Sequence, residues 1–302
     1  MSEEQTTPST FRLLVAYAHP DDESFGSGGL IAKYTAQGVQ VDYLCATNGD
    51  MGTPAEGTSL ETNSLANIRI EELECARKVL GMRQVIRLNY KDSGMMGSPS
   101  SEHPESLWYQ WQHCPDDVTQ RIVDIIRETQ PQIIVTFNRY GGYGHPDHIA
   151  IQRATTAAFK LAGDKTYTRS TLAPYAPQKL YYASIPAYRF FKLYLLTLQL
   201  RGKDIRRMGI NADIDYQAIA DNLEPIHTVI DLSGYMDIWD QASDCHRSQG
   251  QGKGSGTRGV MSLLPKWMRH WIASRYSLTR VYPAPNHNRV DEHDLFANVT
   301  KN

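Results

Sequence analysis

Through the first half of the chain, short apolar runs alternate with segments of helical period, the pattern of a parallel sheet covered by crossover helices. Arg12 to Ala18 (RLLVAYA) is almost unbroken in hydrophobicity and predicts a first strand buried on both faces. Gly28 to Gln37 follows as a helix, Val39 to Ala46 as a second strand, and Glu61 to Leu80 as a long helix that Gly81 closes as its C-cap. Val85 to Leu88 predicts a third strand, Asp117 to Thr129 a helix, and Gln132 to Phe137 (QIIVTF) a fourth strand. A further helix begins near Pro146, strands follow at Lys179 to Ala183 and Pro225 to Asp231, and a helix runs from Ser233 to about His246. Each strand is trailed by Gly, Asp, Asn or Pro. In an open α/β sheet those loops stand at the carboxyl ends of the strands, where ligands bind.

Toward the C-terminus the periodicity weakens. Ile185 to Arg207 mixes apolar and basic residues, and Gln249 to Gly259 (QGQGKGSGTRG) is Gly-rich. The expected fold class is therefore α/β, Rossmann-like, with a mainly parallel sheet, helices on both faces and a less regular C-terminal insertion region. A disordered tail over residues 1–10 precedes a single domain over 11–302, with lid or insertion segments at 185–210 and 248–285. The longest apolar stretch, Phe190 to Leu200, is broken by Lys192 and falls short of the roughly 20 residues a bilayer span needs. It reads as an amphipathic cover for the pocket, the alternative being a membrane-surface contact through Lys192, Arg201, Lys203, Arg206 and Arg207.

Composition narrows the function. The chain has 302 residues, with 31 Lys and Arg against 33 Asp and Glu, so its formal charge is −2. That balance lacks the basic excess of a nucleic-acid binder and does not favour membrane contact. At this size folding buries roughly three quarters of the unfolded surface, so a metal found here has a chemical rather than a structural role. The four cysteines, Cys45, Cys75, Cys114 and Cys245, are scattered without a Cys-x-x-Cys pair, and the start MSEEQTTPST has no secretory pattern. Reduced thiols in a cytoplasmic protein are the expectation, with Cys75 packed in the core of its helix.

Two clusters carry candidate chemistry. Ala18-His19-Pro20-Asp21-Asp22-Glu23 directly follows the first predicted strand. Histidine and carboxylate are both ligands for Zn²⁺, whose catalytic sites take three protein ligands and leave a position for water. In a turn stiffened by Pro20, Asp21 and Asp22 point different ways, so one can ligate while the other acts as a base. Gly141-Gly142-Tyr143-Gly144-His145-Pro146-Asp147-His148 directly follows the fourth predicted strand. Pro146 suits the first helical position, which makes His145 the cap and sets His148 on the same face, one to hold a metal and the other to reach substrate. Either cluster alone could simply cap a helix; two of them at strand ends of one sheet converge.

Together the AHPDDE and HPDH segments resemble the LmbE/PIG-L family of zinc-dependent N-acetylglucosamine deacetylases, over Phe11 to Ile151 and again at Cys245-His246-Arg247-Ser248-Gln249. The resemblance implies His19, Asp22 and His148 as metal ligands for one Zn²⁺ per chain, Fe²⁺ being the alternative ion. It further implies Asp21 as general base, and His145 as the group that stabilises the oxyanion and serves the leaving amine. Asp147 would orient that histidine, and Tyr143 would be a tyrosine able to move over the substrate. Arg69 would lie at the sugar or phosphate end, and Asp92 would gather sugar hydroxyls. The implied reaction is hydrolysis of the N-acyl group, an acetyl, from a small aminosugar such as a GlcNAc-inositol. The rivals are amide cleavage of a mycothiol-type S-conjugate, a metal-dependent phosphoesterase and a non-catalytic sugar-binding module on the same fold. No nucleic-acid partner is implied, and a homo-oligomer is left open.

Three features are discounted. Gly26-Ser27-Gly28-Gly29 begins like a dinucleotide fingerprint, but Ile31 stands where the last glycine belongs. Those glycines are expected to let the first helix pack closely under the metal loop. Glu23 is expected to support a ligand histidine. His246 reads equally well as structural or as reaching the site.

Overall fold

The computed structural model describes residues 10–55, 57–60, 64–184, 188–209, 211–249 and 265–301. Nearly all of the expected N-terminal tail, the first residues of the helix expected from Glu61 and most of the Gly-rich stretch lie outside them.

The first half alternates as expected, with one short helix, the third, that the sequence pattern did not predict: β1 (Arg12–Tyr17), α1 (Asp22–Ala36), β2 (Gln40–Thr47), α2 (Leu65–Leu80), β3 (Gln84–Tyr90), α3 (Leu107–His113), α4 (Pro115–Thr129) and β4 (Ile133–Thr136). A one-turn element, α5 (Gly141–Gly144), leads into α6 (Pro146–Ala162), then β5 (Lys179–Ser184), α7 (Tyr188–Leu200), α8 (Tyr216–Asp221), β6 (Thr228–Asp231), α9 (Met236–Cys245), α10 (Lys266–Ala273) and β7 (Arg275–Tyr282). The seven strands form one sheet in the order β3-β2-β1-β4-β5-β7-β6. β3 to β5 are parallel, and β7 runs antiparallel between β5 and β6.

Local chemistry explains most boundaries. Gly81 ends α2 at φ 70°, the left-handed cap that glycine adopts without strain. α1 begins at Asp22, six residues before the apolar period, because Asp22 and Glu23 sit favourably in the first turn against the helix dipole. β7 falls inside the stretch expected as an insertion. Its sequence RYSLTRVY has no apolar run, yet Leu278 pairs with both Ala183 and Thr228 and is fully buried.

Two contacts tie the C-terminal half onto the first. Trp239 of α9 lies across Gly28 and Gly29: a Cβ at these positions would stand 2.5 Å and 2.6 Å from its ring atoms. The glycines thus admit α9 rather than the loop before α1. Cys75 of α2 and Cys245 of α9 form a disulfide, Cα atoms 5.8 Å apart. This corrects the expectation of four reduced thiols and of a core Cys75, which is exposed; Cys45 and Cys114 are free. A separation of 170 residues hides such a pair from sequence spacing.

Besides the main core around the sheet, Phe191, Leu195 and Leu198 of α7 pack with Ile205, Tyr216 and Ile219 into a second apolar cluster, against which Tyr140 and Tyr143 rest. Among the described residues no helix is long and apolar enough to cross a membrane.

Candidate active site

From β1 the chain steps outward to β2 and β3, then returns to lay β4 against β1's other edge. The loops after β1 and β4 therefore meet at the point where strand order reverses, the crevice of an open α/β sheet. His19 Nδ1 lies 3.0 Å from His148 Nε2. Asp22 bridges the same atoms, Oδ2 at 3.4 Å from His19 Nδ1 and Oδ1 at 3.5 Å from His148 Nε2. Ligand bonds of about 2.0–2.1 Å in a tetrahedral zinc site imply ligand-to-ligand edges of about 3.3 Å, so this spacing fits an ion of that kind.

The far sides of both rings agree with that fit. His148 Nδ1 donates to the Gly141 carbonyl at 3.0 Å, which leaves Nε2 as a bare lone pair facing His19 and Asp22. His19 Nε2 lies 3.3 Å from Asp147 and 3.5 Å from Asp92, so its Nδ1 faces inward. A ligand histidine whose outer nitrogen is held in this way has its tautomer and ring angle set in advance. Burial alone would depress His19, but Asp92, Asp147 and Asp22 carry it well above its ordinary value. Burial opposes ionisation of Asp22, and the neighbouring His148 and His19 outweigh it and hold the carboxyl low. His148 is pushed down to about 4, chiefly by burial.

Asp21 points elsewhere. Its carboxylate lies 3.0 Å from the Arg69 guanidinium, and its backbone stands at φ 147°, ψ −21°. Burial pushes its pKa up to about 6, with Arg69 pulling it down and Asp22 pushing it up. Arg69 is buried and gives its N–H groups to Gly49 and Pro20 carbonyls at 2.8 Å and 2.9 Å. It thus faces the turn that carries Asp21, where the sugar or phosphate end was expected.

His145 caps α6, its Nδ1 accepting the Asp147 backbone N–H at 3.2 Å, so a neutral ring carries its proton on Nε2. Burial first, then His19 and His148, pushes its pKa down to about 3. That direction favours the uncharged ring. Its orientation comes from the Asp147 amide. The Asp147 carboxylate instead accepts from the Ser93 amide at 2.9 Å, from the Ser93 hydroxyl and from His19, and lies 4.0 Å from His145. Ser93 was not singled out from sequence; its place directly after Asp92 was the available signal.

Asp92 is buried with an oxygen 4.0 Å from His145 Nε2, and accepts the Gly94 amide at 2.8 Å. Tyr143 stands edge-on to His148, centroids 5.0 Å apart, between Gly142 and Gly144 at φ 72° and 93°. Burial keeps its hydroxyl protonated. Glu23 does not reach a ligand histidine: it accepts from His246 at 2.6 Å and from the Asp21 amide at 3.0 Å. A surface group, Asp237, Asp240 and His270, also has ligand spacing, but Lys266 sits 2.6 Å from Asp237 and already neutralises it.

Residues 14–159 match the profile of the PIG-L family, described as GlcNAc-PI de-N-acetylase. A 1D-myo-inositol 2-acetamido-2-deoxy-α-D-glucopyranoside deacetylase of Acidothermus cellulolyticus is 35% identical over 300 residues, covering 95% of this chain and 94% of that protein. A second protein so named, from Catenulispora acidiphila, is 36% identical over 253 residues, covering 78% of this chain and 79% of its own. Among solved structures, the N,N'-diacetylchitobiose deacetylase of Pyrococcus horikoshii superposes with a TM-score of 0.60 at 20% identity, over 89% of this chain and 83% of that one, a likeness of fold. With a relative matched along nearly its whole length, and with both motifs inside the matched profile, the chain belongs to the PIG-L family.

Proposed function

We propose that this protein is a metal-dependent N-deacetylase that hydrolyses the acetamide of an N-acetylglucosaminyl inositol, releasing acetate and the free amine. His19, Asp22 and His148 would hold one ion, which we assign as Zn²⁺. The ion supplies a lowered water pKa, from roughly 15.7 to 7, and polarises the amide carbonyl.

The chain's own groups divide the proton work. Asp21, at about 6, is ionised at neutral pH and takes the proton of the attacking water as the C–O bond forms. Neutral His145 donates its Nε2–H to the oxyanion, a contact whose removal typically costs about 100- to 1000-fold in rate. When the C–N bond breaks, the proton on Asp21 passes to the departing amine. Tyr143 and the apolar cluster of α7 and α8 form the outer wall against the sugar.

The observation that supports this reading is the opposed setting of neighbouring carboxylates: Asp22 is held low between two histidines, while Asp21, paired with Arg69 at 3.0 Å, is pushed up to about 6. Relatives named for deacetylation of the same GlcNAc-inositol support the substrate. A cytoplasmic location is part of the proposal. Amine release from GlcNAc-inositol by the zinc-loaded protein, compared with Asp21→Ala at equal zinc content, tests the assignment. Failure of the wild type to release amine overturns it.

A further inference from the structure

His246 follows the last residue of α9, far beyond the segment that matches the family profile, and is 1% exposed. Its Nε2 donates to Glu23 Oε1 at 2.6 Å, with both side chains wholly buried. The other Glu23 oxygen accepts the Asp21 backbone N–H at 3.0 Å. That amide belongs to a residue at φ 147°, a conformation L residues rarely adopt. Such a backbone costs about 1–3 kcal/mol and persists where its surroundings hold it from several sides.

Here the restraints can be named. Arg69 holds the Asp21 carboxylate and the preceding carbonyl, the first α1 amides of Ser24 and Phe25 hold the Asp21 carbonyl at 3.0 Å and 2.8 Å, and Glu23 holds the amide. Glu23 is itself fixed by His246 and by the Ser24 hydroxyl at 2.6 Å. The segment that delivers His246 is fastened on each side. Cys245 is bonded to Cys75, Ser248 donates twice to Glu72 at 2.7 Å, and the Ala55 amide donates to the Ser248 carbonyl at 2.7 Å.

We infer that His246 is a positioning residue for Asp21: through Glu23 it forms a strut from α9 that keeps the base in its strained backbone setting, with its carboxylate against Arg69. The inference rests on the reading of Asp21 as the base. It also gives the C-terminal half a chemical part in a reaction whose other groups lie in the first half.

Two polar variants of similar size separate the roles. In His246→Gln the amide nitrogen reaches the place of Nε2 and can donate to Glu23; in His246→Asn it reaches only the place of Nδ1. The zinc-loaded Asn variant is expected to lose about 10- to 100-fold in kcat, the usual scale for groups that orient a site. KM should stay nearly constant, because the lost interaction serves the transition state. The Gln variant should recover most of the rate. Hydrogen exchange gives a readout without turnover: the Asp21 amide should exchange faster in the metal-free Asn variant than in the Gln variant or wild type. Equal kcat in the two variants, unchanged Asp21 exchange, or unfolding of both would overturn the inference. A wild type that releases no amine would instead defeat the deacetylase reading, and the exchange comparison would still judge the strut.

Discussion

Phe137 lies face to face on His148, ring centroids 3.9 Å apart and planes 7° from parallel. The phenyl leaves that imidazole little freedom to rotate about the bond to Gly141, so the nitrogen proposed to ligate is aimed before an ion arrives. Phe137 is itself stacked on Tyr17 of β1, at 4.3 Å. Phe137→Leu keeps apolar volume and removes the flat face. It should weaken zinc binding about tenfold, the lower end of the range for groups that orient ligands, in competition with a chromophoric chelator. An unchanged affinity would assign His148 orientation to Gly141 alone.

Ser93 donates twice to the Asp147 carboxylate, and its hydroxyl accepts the Trp108 amide at 2.9 Å. Ser93→Ala leaves a buried carboxylate oxygen and a half-buried amide short of a partner, the buried oxygen costing about 1–3 kcal/mol. The expected result is a drop in urea midpoint together with weaker zinc binding, because Asp147 also faces His19. A loss of stability with full zinc affinity would separate Asp147 from the metal site.

With Asp21 as the proposed base, the acid limb of kcat/KM should report its carboxyl. A base must be ionised, so the rate should fall tenfold per pH unit below about 6 and level off above it. Arg69 holds this carboxyl down, so Arg69→Met should move the limb to higher pH. A limb that stays in place would mean that another group sets it.

Stability has the opposite sign from activity at this residue. The folded pKa of Asp21, about 6, lies above its ordinary 3.8. Its favourable contribution is therefore full below about pH 3.8 and lost as pH rises through about 6. Asp21→Asn should abolish turnover at pH 8 while raising the thermal midpoint of the metal-free protein. A lowered midpoint would mean that the ion pair with Arg69 outweighs the burial of charge.

The Cys75–Cys245 bond closes a loop spanning 170 residues of sequence. Bonds of this kind typically stabilise by about 2–4 kcal/mol, so dithiothreitol should lower the thermal midpoint of the oxidised protein, and Cys75→Ser should abolish the difference. Alkylation during lysis, followed by a thiol count, reads whether the pair is closed in the cell.

By itself the sequence determined the strands of the first half and the place of both motifs after β1 and β4. The reason is physical: a parallel sheet buries both faces, so its strands read as continuous apolar runs, and the residues that follow must be those that turn, cap and ligate. His19, Asp21, Asp22, His145 and His148 were legible because their chemistry is written within a few residues of those ends. Tertiary structure alone decided which partner each of them meets. Asp147 turns to Ser93 and His19 rather than to His145, Arg69 turns to Asp21, and Glu23 turns to His246, since each contact joins segments that only packing brings together. β7 and the disulfide were hidden for the same cause: one strand finds its place by pairing with two others, and two cysteines far apart in sequence meet only where α9 lies against α2.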